Sequence, residues 1–167
     1  MIGKTNLAGH PLHPILVTIP IGLWIFSLAC DIIYRATSNL TWDTIAFYSM
    51  AAGIIGALLA AVPGFFDLYF LPPSHAKRIG LWHMTINLTL VTLYVINFFW
   101  RRNLEPAASG PFVLSILSVI LLLASGWLGG EIVYRYGVAV LPVDELKAQK
   151  PEEGRENIFG LHLHHRH

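Results

Sequence analysis

Residues 80–100 read GLWHMTINLTLVTLYVINFFW, a run without Asp, Glu, Lys or Arg that ends at Arg101 and Arg102. A helix needs about 20 mostly apolar residues to cross the hydrocarbon core of a bilayer. The chain has four stretches of this kind: Ile15–Tyr34, Thr44–Phe66, Gly80–Trp100 and Pro111–Tyr134. Backbone polar groups in lipid must find their partners within the protein. We therefore predict an all-α integral membrane protein built as a four-helix bundle.

The composition supports this prediction and excludes several other classes of protein. Of the 167 residues, 54% are hydrophobic and 13% are charged, whereas a soluble domain has about a quarter charged residues. The formal net charge of +1 gives no reason to expect nucleic acid binding. The only cysteine, Cys30, excludes an intramolecular disulfide. No signal peptide, phosphate-binding glycine loop or hydrolase motif is evident.

Two regions follow from this pattern: a four-span transmembrane domain over 1–142 and a charged, His-rich tail over 143–167. Four spans bring both termini to the same face of the membrane. We call that face side A, since it also carries the loop between spans two and three, and we call the other face side B. Six cations lie near side A and three near side B: Lys4, Lys77, Arg78, Arg135, Lys147 and Lys150 against Arg35, Arg101 and Arg102. The positive-inside rule then favours the cytoplasm for side A and both termini.

All eight histidines fall on side A in this topology: His10, His13, His75, His83, His162, His164, His165 and His167. A one-sided group of imidazoles in a membrane protein without an evident soluble catalytic domain indicates a bound metal or haem.

The first two candidates lie in GHPLHP at 9–14, where His10 and His13 share a face if the segment is helical. The alternative is a proline-rich helix entrance with interfacial histidines. His83 lies about one turn inside the third span and needs a partner at that depth. Asn87, four residues on, could bond the second ring nitrogen of His83 or a neighbouring group. The alternative for His83 is a packing histidine bonded to a carbonyl.

Spans one and three both start at side A, so His13 and His83 differ by only about 6 Å in depth. We take His13 and His83 as the first candidates for axial ligands, with His10 and His75 in reserve. Lys77 and Arg78 suit haem propionates, and they suit lipid phosphates equally well.

Carboxylates and the tail offer further ligands. Asp67 and Glu131 are level with the histidines and could bond metal-ligating imidazoles, or they are helix-end carboxylates bonded to backbone or arginine. Asp31 lies towards side B and needs a partner in the bundle. Histidines in the tail suit a divalent metal such as zinc or copper. They are His162, His164, His165 and His167.

Small residues and a faint duplication bear on the packing. The glycine pairs Gly126/Gly130 and Gly53/Gly56 permit close helix approach or leave room for a planar ring. The IGLW of 21–24 recurs at 79–82, and the PGFFD of 63–67 has a counterpart near 125–131. This suggests two parallel two-helix repeats about an axis along the membrane normal, in a register that the histidines do not follow.

These motifs together resemble a family known as domain of unknown function 2231, over roughly residues 9–140. The resemblance rests on several ordered segments: 10–14, 19–24, Asp31, 60–67, 77–83, 125–134 and Gly137-Val138. It implies a four-span protein of the prokaryotic inner (cytoplasmic) membrane, similar in plan to small b-type membrane cytochromes. Some members occur beside or fused to Rieske-type domains, which implies electron transfer. The His-rich tail is not part of this pattern.

The leading hypothesis is a membrane haem b protein with a role in electron transfer, in which His13 and His83 hold the haem near side A. The residues favour an electron carrier or accessory subunit over a stand-alone enzyme. The alternative is a non-catalytic structural or zinc- or copper-binding subunit of a larger membrane complex, and a transporter ranks third. The expected partners are the lipid bilayer and either other membrane or redox proteins or a second copy of the chain.

Overall fold

A computed structural model describes residues 5–7, 10–104 and 108–140. Its helices are α1 (Leu12–Leu16), α2 (Thr18–Thr37), α3 (Leu40–Tyr69), α4 (His75–Arg102) and α5 (Ser109–Tyr134). Two short antiparallel strands, β1 (Asn6–Leu7) and β2 (His10–Pro11), precede them. With α1 and α2 counted as one span, four helices in the described part of the chain are long and apolar enough to cross a membrane. The predicted all-α membrane bundle is confirmed, and the tail over 143–167 lies outside the described residues.

α3 and α4 start before the predicted spans, and a polar side chain caps each start. The side chain of Asn39 accepts a hydrogen bond from the Thr41 N–H at the start of α3, and Ser74 does the same for Lys77 at the start of α4. Pro63 lies within α3, which continues to Tyr69. Proline is tolerated within a transmembrane helix when neighbouring groups satisfy the backbone that it disturbs.

The helices pair into two hairpins that face each other. α2 packs mainly on α3, and α4 packs mainly on α5. Further contacts join α3 to α4 and α2 to α5, so α2 and α4 stand diagonally across the bundle. A buried core lies between them: Trp24, Met50, Leu90, Tyr94 and Leu122. Many other large apolar side chains are exposed on the outside, as lipid contact requires.

A pseudo-twofold axis relates the hairpins, and three pairs of side chains from equivalent positions meet across it. They are His13 with His83, Trp24 with Tyr94, and Asp31 with Arg101, each pair 70 positions apart in the sequence. Each hairpin also repeats the same kinds of bond. The side chains of Ser27 and Asn97, again 70 positions apart, donate to the carbonyls of Ala46 and Pro111.

The two-repeat architecture is therefore present, but the register inferred from the IGLW repeat is wrong. That register pairs Trp24 with Trp82. Trp24 is buried at 2% exposure, whereas Trp82 is 66% exposed on the outside of the bundle. In the structural register the histidines obey the repeat, because His13 and His83 occupy equivalent places.

Candidate histidine site

His13 is anchored to the second helix of its own hairpin. Its Nδ1 lies 2.8 Å from the carbonyl oxygen of Ala60 in α3. A carbonyl can only accept, so His13 carries its proton on Nδ1 and donates it to this oxygen. Ala60 lies three residues before Pro63, in the turn of α3 whose backbone bonding the proline disturbs.

His83 is anchored in the equivalent way. Its Nδ1 lies 2.9 Å from the carbonyl oxygen of Ser125 in α5, and the Ser125 hydroxyl is 3.1 Å from the same nitrogen. Asn87 donates to the Ser125 hydroxyl at 2.7 Å and to the His83 carbonyl at 2.8 Å. Of the two roles predicted for Asn87, the structure thus gives it the bond to a neighbouring group, and Asn87 holds Ser125 in place under the ring.

The two rings meet at the axis. Their centroids are 6.2 Å apart and their planes are nearly perpendicular, at 89°. Both Nδ1 protons are given to carbonyls, so each Nε2 carries the lone pair, and within the described residues no hydrogen bond is made to either Nε2. A metal-ligating histidine usually donates its Nδ1–H to a carbonyl or carboxylate and binds the metal through the lone pair on Nε2.

Two glycines make room for these rings. A Cβ on Gly64 would lie 2.6 Å from Nδ1 of His13, and a Cβ on Gly129 would lie 3.1 Å from Cε1 of His83. Gly64 and Gly129 each lie four residues after the carbonyl that its histidine bonds. The glycine, the carbonyl and the histidine therefore form one unit that occurs once in each hairpin.

The glycines singled out from the sequence behave differently from one another. Gly53 packs against Trp24 and Gly56 against Ile19, so close helix approach is confirmed for this pair. Among the described residues, nothing lies within 4 Å of the position that a Cβ on Gly126 or Gly130 would take, so the prediction of close helix approach is wrong for this pair. The glycine of α5 that lies against a histidine ring is Gly129, which the sequence analysis did not single out because it is not part of the Gly126/Gly130 pair.

The reserve histidines lie apart from this pair. His10 is exposed in β2 opposite Leu7, and it does not share a helix face with His13 because helix starts only at Leu12. His75 is exposed at the start of α4, with its Nδ1 3.0 Å from the Arg78 guanidinium.

Lys77 and Arg78 lie at the side-A end of α4. Lys77 donates to the carbonyls of Tyr69 and Leu71 at 3.3 and 2.6 Å and so closes the end of α3. Arg78 is exposed beside His75. Both cations lie less than two turns before His83.

The structure gives the carboxylates partners other than imidazole. Asp67 accepts the Thr5 N–H at 3.0 Å and thereby ties the N-terminal segment to α3. Glu131 accepts from Arg135 at 3.0 Å. In the described part of the chain no group of three or more His, Cys, Asp or Glu side chains is arranged to hold a metal. The four tail histidines, from His162 to His167, lie outside that part.

Sequence reasoning treated Arg101 as a surface cation and missed its role. The Arg101 guanidinium binds both carboxylate oxygens of Asp31, at 2.7 and 2.6 Å. The side chains are only 12% and 5% exposed. Asp31 thus has the partner that its depth requires, on the diagonal helix at side B.

The fold and these contacts define a four-span integral membrane protein with a pseudo-symmetric histidine pair near one face. Residues 9–142 match the model of a family described as predicted membrane protein (DUF2231), and the chain belongs to that family. No curated protein and no solved structure matches the chain.

Proposed function

We propose that the protein binds haem b between His13 and His83 near side A and takes part in electron transfer within the membrane. The observation that carries this proposal is the matched pair of rings, each fixed through Nδ1 and each with Nε2 left to ligate. A haem iron accepts two axial imidazoles and supplies one-electron redox chemistry.

The distance between the rings suits two ligands on one metal. A metal–imidazole bond is about 2.0 Å, and a ring centroid lies roughly 1.2 Å beyond its nitrogen. Two imidazoles on opposite sides of one ion therefore have centroids about 6 Å apart, and the rings of His13 and His83 are 6.2 Å apart.

The number of ligands also favours haem over zinc. Structural zinc takes four protein ligands and catalytic zinc takes three. The described residues offer two imidazoles here and no third metal-binding side chain grouped with them. Two protein ligands suffice for haem, since the porphyrin occupies the other positions.

The surroundings fit the same proposal. His13 and His83 approach from opposite sides of the bundle, and cofactor sites of helical bundles are built in this way. Lys77 and Arg78 lie at the side-A end of the same helix as His83, where they would balance carboxylate charge at the membrane surface. The electron partner would be another membrane or redox protein.

Copper(I) is the second candidate, because it also accepts two opposed nitrogen ligands. Imidazole suits copper, and the same pair of rings would serve. In this case the protein would be a metal-binding accessory subunit with no redox pigment of its own.

The visible absorption spectrum of the purified full-length protein, recorded with elemental analysis, separates these candidates. The proposal expects a Soret band, reduced-minus-oxidised bands of a six-coordinate b-type haem, and iron near one atom per chain. A colourless protein with copper would support the second candidate, and a colourless protein without metal would contradict both.

A further inference from the structure

The interface between α4 and α5 is polar along most of its length. The inward positions on α4 recur every three or four residues: His83, Asn87, Leu90, Tyr94, Asn97 and Arg101. Those on α5 follow the same spacing: Pro111, Ser115, Ser118, Leu122, Ser125 and Gly129. Hydrogen bonds fix the register at both ends, since Asn87 bonds Ser125 and Asn97 bonds Ser115. Between these two bonds the antiparallel register places Tyr94 opposite Ser118 and Leu90 opposite Leu122.

Four buried polar side-chain atoms on α4 and α5 have no partner among the described residues. They are the Tyr94 hydroxyl, Oδ1 of Asn97, Nε of Arg101 and the Ser118 hydroxyl. Tyr94, Asn97 and Ser118 are at most 1% exposed. An unbonded polar group at membrane depth is costly, and native proteins satisfy such groups with ordered water where side chains do not reach them.

The other hairpin shows that this is not a general property of the bundle. At the equivalent depth in α2 and α3, Trp24 donates to the Met50 carbonyl and Ser27 donates to the Ala46 carbonyl. In the described residues the buried atoms without partners all belong to α4 and α5. The pseudo-twofold makes the comparison direct, since Tyr94 replaces Trp24 and Ser118 replaces Gly53.

We propose that the side-B half of the bundle, where α4 faces both α5 and the axis, binds a file of water molecules that runs from Arg101 to Tyr94. Arg101, at the side-B end of α4, forms the entrance. Leu90 and Leu122, buried at 0% and 6% exposure, close the file at its inner end. Water and protons from side B reach the middle of the bundle at Tyr94 and stop there, short of the Asn87–Ser125–His83 network. This inference does not depend on haem binding.

Hydrogen exchange at single thiols tests the extent of the file. The S–H stretch gives an isolated infrared band, and the native protein has one cysteine, Cys30, which is 0% exposed on α2. Ser118→Cys and Leu122→Cys each add one thiol on α5, one turn apart on either side of the proposed inner end. On exposure of membranes to D2O, the Ser118→Cys thiol should exchange at once, whereas the Leu122→Cys and Cys30 thiols should persist. Exchange at 118 no faster than at 122 would overturn the proposal, whether both thiols are slow or both are fast.

Thermal unfolding of the full-length protein gives a second test without added thiols. Tyr94→Phe and Ser118→Ala each remove one hydroxyl. If both hydroxyls donate to or accept from the water file, each single variant should have a lower unfolding midpoint. The decrease in the double variant should then be smaller than the sum of the two single decreases. If the hydroxyls bond nothing, their removal should leave the midpoint unchanged or raise it, and this result would also contradict the proposal. Ser27→Ala is the control, because it removes a direct hydrogen bond to the Ala46 carbonyl. Its decrease in the unfolding midpoint should add in full to the decrease caused by Tyr94→Phe.

Discussion

Arg101 donates two parallel hydrogen bonds to Asp31, at 2.7 and 2.6 Å, and so joins the diagonal helices α4 and α2 near side B. Two more pairs lie on the same axis. Trp24 and Tyr94 stack with centroids 4.0 Å apart in the core, and the His13–His83 pair lies near side A. An ion pair, an aromatic pair and a histidine pair thus lie one after another along the axis of the bundle. In the histidine pair, each Nε2 has no hydrogen bond among the described residues.

Removal of one partner of the ion pair should be strongly destabilising. Asp31→Asn leaves the Arg101 guanidinium buried without its ion-pair partner, and a broken buried pair costs about 3–5 kcal/mol of unfolding free energy. Arg135→Ala is the control, because the Arg135–Glu131 pair is largely exposed at 73% and 24% and an exposed pair contributes under about 1 kcal/mol. The free energy of unfolding is measured by denaturation in detergent. Equal decreases in the two variants would show that the buried pair contributes no more to stability than the exposed one.

The glycines beneath the histidine rings should resist substitution. Gly64→Ala places a methyl group 2.6 Å from the His13 ring, and overpacking of this kind costs about 1–3 kcal/mol. The added methyl group of Gly126→Ala meets no described residue within 4 Å, and this variant should be neutral or stabilise α5 by up to about 1 kcal/mol. Thermal unfolding of both variants checks this difference. A Gly64→Ala protein as stable as the Gly126→Ala protein would mean that His13 does not pack there.

Both termini should lie on the same side of the membrane. Four spans require this, and the excess of Lys and Arg on side A favours the cytoplasm. Reporter fusions at the N-terminus and after Leu141 should report one location. Opposite locations would contradict the four-span topology, whereas two external locations would contradict only the orientation.

The His-rich tail should contribute separately to metal binding. Deletion of the residues after Gly160 removes four imidazoles at positions 162, 164, 165 and 167 and should lower bound zinc or copper in elemental analysis. The haem signal should be unchanged, because the proposed axial ligands lie in the bundle. Metal content that does not change on deletion would show that the tail binds none.

Sequence reasoning gave the number and class of the spans because hydrophobic length is a local property. It also placed His13 and His83 at similar depth, because that depth follows from helical rise. The register of the repeat could not be found, since two of the three pairs that meet across the axis differ in residue type: Trp24 with Tyr94, and Asp31 with Arg101. The histidine pair alone is identical, and one shared residue is outweighed by the four-residue IGLW match in the wrong register. The partners of Arg101, Asp67 and Gly129 also depend on the rotation of each helix, which the strongly apolar spans leave undetermined.

The reduced-minus-oxidised spectrum of His83→Ala beside that of His75→Ala tests the central claim most directly. His83 meets His13 in the bundle, whereas His75 is exposed at the start of the same helix. We expect the His83→Ala protein to insert in the membrane but lose most of the six-coordinate haem signal, and the His75→Ala protein to keep it. A full signal in His83→Ala, or no haem in the unmutated protein, would contradict the account.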